Sequence, residues 1–167
     1  MAKSVAAERR TPFKAKPASD LYETDFFRWT QEQAALLRAG EASAIDWKNV
    51  AEEIDSLGRR DRREIGSRLK VLIAHLLKWQ FQPEKRSKSW MQTIGAQRQE
   101  ITLIIDDSPS LRPSIGSLIE ARYSGAVDMA AYQTKRETSA FPRACPYSAD
   151  EILAADFWPG SSDKSRN

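Results

Sequence analysis

The run from residue 60 to residue 81 constrains this chain more than any other stretch. Ile65, Leu69, Leu72, Leu76 and Trp79 recur at alternating steps of four and three, and Val71, Ile73, Leu77 and Phe81 widen the same apolar side. Such steps place side chains on one face of a helix of 3.6 residues per turn. A face this broad has to be covered by other elements, so the segment is predicted to be the central helix of a bundle. Pro83 closes it, because the residue before a proline is kept out of α geometry, and residues 82–86 read as a connection.

The same period recurs on both sides. A first helix is predicted from Thr24 or Asp25 to Ala39, with Phe26, Thr30, Ala34 and Leu37 at helical spacing and Gly40 as its stop. A second starts near Asp46, whose carboxylate can cap free N–H groups; it carries Val50, Ile54 and Leu57 on one stripe, and Gly58 is expected to interrupt it. A fourth covers residues 87–105, with Trp90, Ile94, Ile101 and Ile105 inward and Arg98 on or beside that stripe.

Ser108-Pro109 and Pro113 separate it from a fifth, residues 113–137, where Ile115, Leu118, Ile119, Arg122, Ala126, Met129 and Ala130 keep the period. Gly116 and Gly125 each cost that helix about 1 kcal/mol relative to alanine. Ser148 and Glu151 have the spacing of a capping box that opens a short helix through Asp156, and Phe157-Trp158-Pro159 is then an apolar anchor. Alternation of period two is not sustained anywhere, so no sheet is predicted. The expected fold is all-α, a single helical bundle of about five to six helices.

A length of 167 residues fits one domain. Aliphatic and aromatic positions are spread mainly through residues 21–158, so residues 1–19 and 160–167 are expected to be polar, disordered tails. Residues 1–17 are basic and rich in Ala and Pro, but no apolar core follows, which argues against a secretory signal. No stretch is long enough to span a bilayer. Cys145 is the only cysteine and has no partner for an internal disulfide. A cytoplasmic protein of bacterial type is the expectation.

Charge is unevenly placed. Residues 20–58 hold three basic and nine acidic side chains, and residues 59–88 hold ten basic and three acidic. The resulting +7 segment suits nucleic acid, anionic lipid or an acidic protein. If the acidic segment folds back on it, much of that field cancels within the molecule, which is the commoner use of such runs.

Motifs for common chemistries are missing: there is no glycine-rich phosphate loop, G-x-S-x-G, H-E-x-x-H or C-x-x-C. His75 is the only histidine; with one distant cysteine it falls short of a zinc site, so neither metal nor cofactor is expected. Its imidazole suits proton transfer at neutral pH, but on so apolar a helix a hydrogen-bonded structural role is commoner. Glu52 and Glu53 diverge by about 100° on a helix and cannot share one ion, so salt bridges to Arg59, Arg62, Arg63 or Arg68 are the expectation. Arg98 calls for a carboxylate, with Glu53 or Glu137 as candidates. Cys145 lacks a cationic neighbour to activate it and reads as inert. Residues 80–90 mix Lys85, Arg86 and Lys88 with Phe81, Trp90 and two serines, which suits gripping phosphate and stacking a base as well as it suits an ordinary loop.

Taken in order, residues 22–26, 33–38, 52–58, 75–80, 87–94, 97–98, 108–111 and 157–159 resemble the bacterial family called domain of unknown function 29. The matched segments include Glu52-Glu53-Ile54-Asp55-Ser56-Leu57-Gly58, His75-Leu76-Leu77-Lys78-Trp79-Gln80 and Phe157-Trp158-Pro159. The likeness spans residues 20–159. It implies a helical domain from cyanobacterial or proteobacterial sources, and it carries no activity, cofactor or catalytic residue to transfer.

These residues support two functional expectations. The first is a non-enzymatic interaction domain that binds an acidic protein or a nucleic acid through a basic face within residues 59–88, with Arg59, Arg60, Lys85, Arg86, Lys88 and Trp90 as binding residues. The second is a small helical hydrolase or nuclease in which His75, Glu53 and Arg98, joined by Arg86, converge on one polar pocket.

Overall fold

The computed structural model describes residues 18–160. Of the tails expected at residues 1–19 and 160–167, residues 1–17 and 161–167 lie outside the described residues. Among those described the chain is all-α, with six α-helices, short 3₁₀ turns and no strand. The architecture is that of an all-α helical bundle, and its contacts divide the described residues into two compact units, residues 18–57 and 58–160.

In the first unit, α1 (Ala18–Thr24) and α2 (Phe26–Ala39) are followed by a 3₁₀ turn, Ala42–Ala44, and by the opening turns of α3 (Trp47–Phe81). Asp25 caps α2 by accepting from the Arg28 N–H at 3.1 Å. Gly40 ends it at φ 73°, a left-handed conformation that costs a glycine no Cβ clash. Trp29, 2% exposed, packs on Tyr22 and Phe26 with ring centroids 4.9 and 5.6 Å away. Buried Gln33 accepts from the Asp46 N–H at 2.8 Å, and Asp46 in turn accepts from the side chain of Asn49 at 2.8 Å, which ties down the entry to α3. The seven residues of α1 fall in and just after the stretch expected to be tail; two turns are too few to show a period.

Gly58 does not interrupt the chain. It lies inside α3, a continuous helix of 35 residues, so the two helices predicted on either side of it are one. A lone interior glycine costs about 1 kcal/mol, which neighbouring helix formers outweigh, whereas a stop such as Gly40 takes a positive φ that Gly58 lacks. The predicted stripe of this part is not core: Ile54 and Leu57 are each 63% exposed.

The second unit holds the main core. Ile65, Leu69, Leu72, Ile73, Leu76 and Leu77 of α3 are fully buried, as are Ile94 and Ile101 of α4 (Lys88–Asp107) and Ile152 of α6 (Ala149–Leu153). Each such side chain is worth about 1.5–3 kcal/mol of burial. A 3₁₀ stretch, Pro109–Ser114, leads into α5 (Ile115–Thr134), so α5 starts later and ends earlier than its periodicity predicts. Its inward side uses Tyr123, whose hydroxyl donates to the Pro142 carbonyl at 2.8 Å; Arg122, expected on that stripe, is exposed. The capping box of Ser148 and Glu151 is present, but α6 stops at Leu153 rather than Asp156. The chain end returns to the core as expected, with Trp158 against Trp79 at 4.7 Å.

Candidate functional site

Arg59, Arg62 and Arg63 stand three and four residues apart on α3 and therefore share one side of it. Arg122 of α5 joins them, and these four arginines with Leu118 line an open depression of about 230 Å³. All belong to the second unit. Arg122 reaches this position because it lies flat over Gly66 of α3, where an added Cβ would stand 2.9 Å from the arginine Nε. Lys70 makes the reciprocal move over Gly125 of α5, with its Cδ 3.3 Å from where a Cβ would be. Lys70 thus lays its stem across Gly125, whereas Arg122 brings its Cγ and two guanidinium nitrogens over Gly66.

Arg63 donates to the Arg59 carbonyl at 3.3 Å. Arg68, farther along α3, pairs with Glu64 at 2.8 Å and Glu100 at 3.3 Å. Among the described residues, Arg62, Arg63 and Arg122 enter no ion pair.

The basic residues after α3 divide into two kinds. Lys85 and Lys88 are exposed around the 3₁₀ turn Pro83–Lys85. Arg86 is engaged: its Nε donates to the Trp79 carbonyl at 2.9 Å and its guanidinium sits 4.9 Å from the Trp79 ring centroid, closing the C-terminal end of α3. Ser87 caps α4 by accepting from the Trp90 N–H at 3.3 Å. Trp90 itself is half-buried, with the Lys78 ammonium 4.5 Å from its ring centroid. Lys78 also donates to Gln133 at 2.7 Å, and burial pulls its pKa down.

The candidate catalytic groups hold separate structural partners. His75 is half-buried with Nδ1 2.9 Å from the Val71 carbonyl; burial, the larger influence, lowers its pKa against the opposing effect of that hydrogen bond. Arg98, 5% exposed, takes neither Glu53 nor Glu137, the carboxylates its sequence position suggests. Its guanidinium instead donates to three backbone carbonyls: Ile152 at 2.8 Å, Ala155 at 3.3 Å and Phe157 at 2.8 Å. Carbonyls suffice because five N–H donors in a fixed fork can be satisfied by a turn of backbone wrapped round them. Glu53 belongs to the first unit, where it accepts from the Tyr22 hydroxyl at 2.6 Å and, chiefly through that bond, pushes the phenol up to about 12.

Cys145 is half-buried beside Tyr123 and Tyr147 in a cavity of about 400 Å³, and burial pushes its thiol above the ordinary range. The Tyr147 hydroxyl donates to Gln80 at 2.6 Å. A thiol held protonated is a poor nucleophile at neutral pH. Among the described residues no group of three or more His, Cys, Asp or Glu is placed to hold a metal ion. Likewise no helix among them is long and apolar enough to cross a membrane.

From sequence, Arg62 and Arg63 are expected salt-bridge partners for Glu52 and Glu53, yet among the described residues these two arginines enter no ion pair, and periodicity puts Arg122 on the wrong side of α5. The three-and-four spacing of Arg59, Arg62 and Arg63 is a usable signal. Nothing local announces that Arg122, about sixty residues away, completes the group.

Fold and face together define a helical domain with a cation-lined seam between two of its helices. The chain belongs to the family described as Domain of unknown function DUF29, whose match runs over residues 21–158. That description carries no activity, and comparisons with curated proteins and with solved structures give no match.

Proposed function

We propose that this chain is a non-enzymatic interaction domain of the bacterial cytoplasm that binds an acidic protein or a nucleic acid through the basic face of residues 59–88. The observation that carries this reading is the exposure of Arg59, Arg60, Arg62, Arg63, Lys85 and Lys88 within one segment. Exposed cations of one sign set up a field that draws in anionic partners and speeds their encounter. The groups on which a hydrolytic reading leans, His75 and Arg98, are closed on backbone carbonyls, which favours binding over catalysis.

A salt titration tests the reading. Labelled RNA, DNA and host proteins are bound at rising ionic strength to the native protein and to a variant in which Arg59, Arg60, Lys85, Arg86 and Lys88 are changed to glutamine. The native protein is expected to bind at low salt and to weaken steeply with added salt, with the variant at least tenfold weaker. Absence of any binding at low ionic strength, or equal affinity of the variant, overturns it.

A further inference from the structure

We infer that the depression between α3 and α5 is a phosphate-binding site for the backbone of a nucleic acid, in which Arg122 completes a grip begun by Arg59, Arg62 and Arg63. The inference rests on the basic-face reading and narrows it to one place and one chemistry. Four guanidinium groups around about 230 Å³ repel one another, and three of them have no carboxylate in an ion pair among the described residues. A bound anion relieves that repulsion. The planar guanidinium fork matches phosphate oxygens two at a time, which a lysine cluster would not do.

The shape points to a backbone phosphate rather than to an enclosed small molecule. Pockets that bury a drug-sized ligand run from roughly 300 to 1,000 Å³. This depression is smaller and open, and it suits a group that stays partly in water. Arg59 and Arg63 are four residues apart on α3, roughly 6 Å of rise, so a strand running along the helix can present successive phosphates to them. The lining contains one apolar residue, Leu118, and no aromatic ring, so nothing in it stacks a base. Phosphate contacts without base contacts position a strand and do not read its sequence. Arg122 is seated over Gly66, where the absence of a Cβ leaves room for its side chain.

The test uses the full chain with two fluorescent probes, a 20-nucleotide oligothymidylate and a polyglutamate peptide of similar length. Four proteins are compared: native, Arg122→Gln, Arg62→Gln and the double variant Lys85→Gln/Lys88→Gln. Each arginine variant is expected to weaken oligothymidylate binding several-fold at low salt. Each should also reduce the slope of log affinity against log salt by about 0.7, one single-strand phosphate contact. An oligonucleotide of mixed sequence should bind equally well. If Arg122→Gln and Arg62→Gln leave affinity and slope unchanged while the lysine pair lowers both, this site is wrong although the basic-face reading survives. If polyglutamate binds, loses affinity with Arg122→Gln, and the oligonucleotide does not bind, the phosphate assignment is overturned in favour of protein carboxylates. If neither probe binds, this site is wrong, and the basic-face reading stands or falls separately on the salt titration with RNA, DNA and host proteins.

Discussion

Arg98 is a buried cation whose partners are three main-chain carbonyls near the end of the chain, so it works as a clamp that closes residues 152–157 onto α4. Removing it leaves those carbonyls without their donors, at about 1–3 kcal/mol for each that stays dry. Arg98→Ala should lower the unfolding free energy by about 3 kcal/mol, read by urea denaturation followed through tryptophan fluorescence. A loss below about 1 kcal/mol would show that water replaces the guanidinium and that the clamp is dispensable. His75 gives a pH signature. Burial holds its pKa below its ordinary 6.5, so the unfolded chain takes up a proton at a higher pH than the folded one. Its contribution to stability is therefore complete above about pH 6.5 and is lost progressively as pH falls through the folded pKa. His75→Gln should flatten that part of the stability profile; an unchanged slope would assign it to other groups.

Among the elements, α3 is the most legible in sequence and also the place of the largest misreading. Of its predicted stripe Ile65, Leu69, Leu72 and Leu76 are buried and Trp79 is half-buried, because that signal is repeated at every turn. Gly58 misleads because Gly40 and Gly58 both come after an apolar helical stripe, yet only Gly40 takes a positive φ. The residues downstream of Gly58 distinguish it: Arg59, Arg60, Asp61, Arg62, Arg63 and Glu64 form a charged continuation of helix. An alanine at Gly58 meets nothing within 4 Å, as at Gly95 of α4. Either change should raise stability by about 0.5–1 kcal/mol in thermal melts. Gly66→Ala should do the opposite, since its Cβ meets the Arg122 side chain and displaces it. A Gly66→Ala protein as stable as the native one, with oligonucleotide affinity intact, would show that Arg122 needs no such seat. Two predicted caps are in place: Asp46 accepts from the Asn49 N–H at 3.4 Å as α3 begins, and the Ser148–Glu151 box opens α6.

At the scale of the whole molecule the two units differ in how much they bury. The first has Leu21, Trp29 and Gln33 as its buried side chains among the described residues, whereas the second has a continuous core from α3, α4, α5 and α6. Local opening is cheapest where few apolar contacts are made. Hydrogen exchange followed by mass spectrometry should therefore show amides of α1 and α2 exchanging well before those of residues 69–77. Equal protection in both would argue that the first unit opens only with the rest. Sequence alone determined the all-α class, most helix positions, the caps and the basic segment, because each is written in residues a few positions apart along the chain. Tertiary structure decided that Arg98 takes carbonyls in place of a carboxylate, and that Arg122 crosses Gly66 to join three arginines of α3. Both depend on how closely separate helices approach, a distance set by packing in three dimensions that no local period encodes.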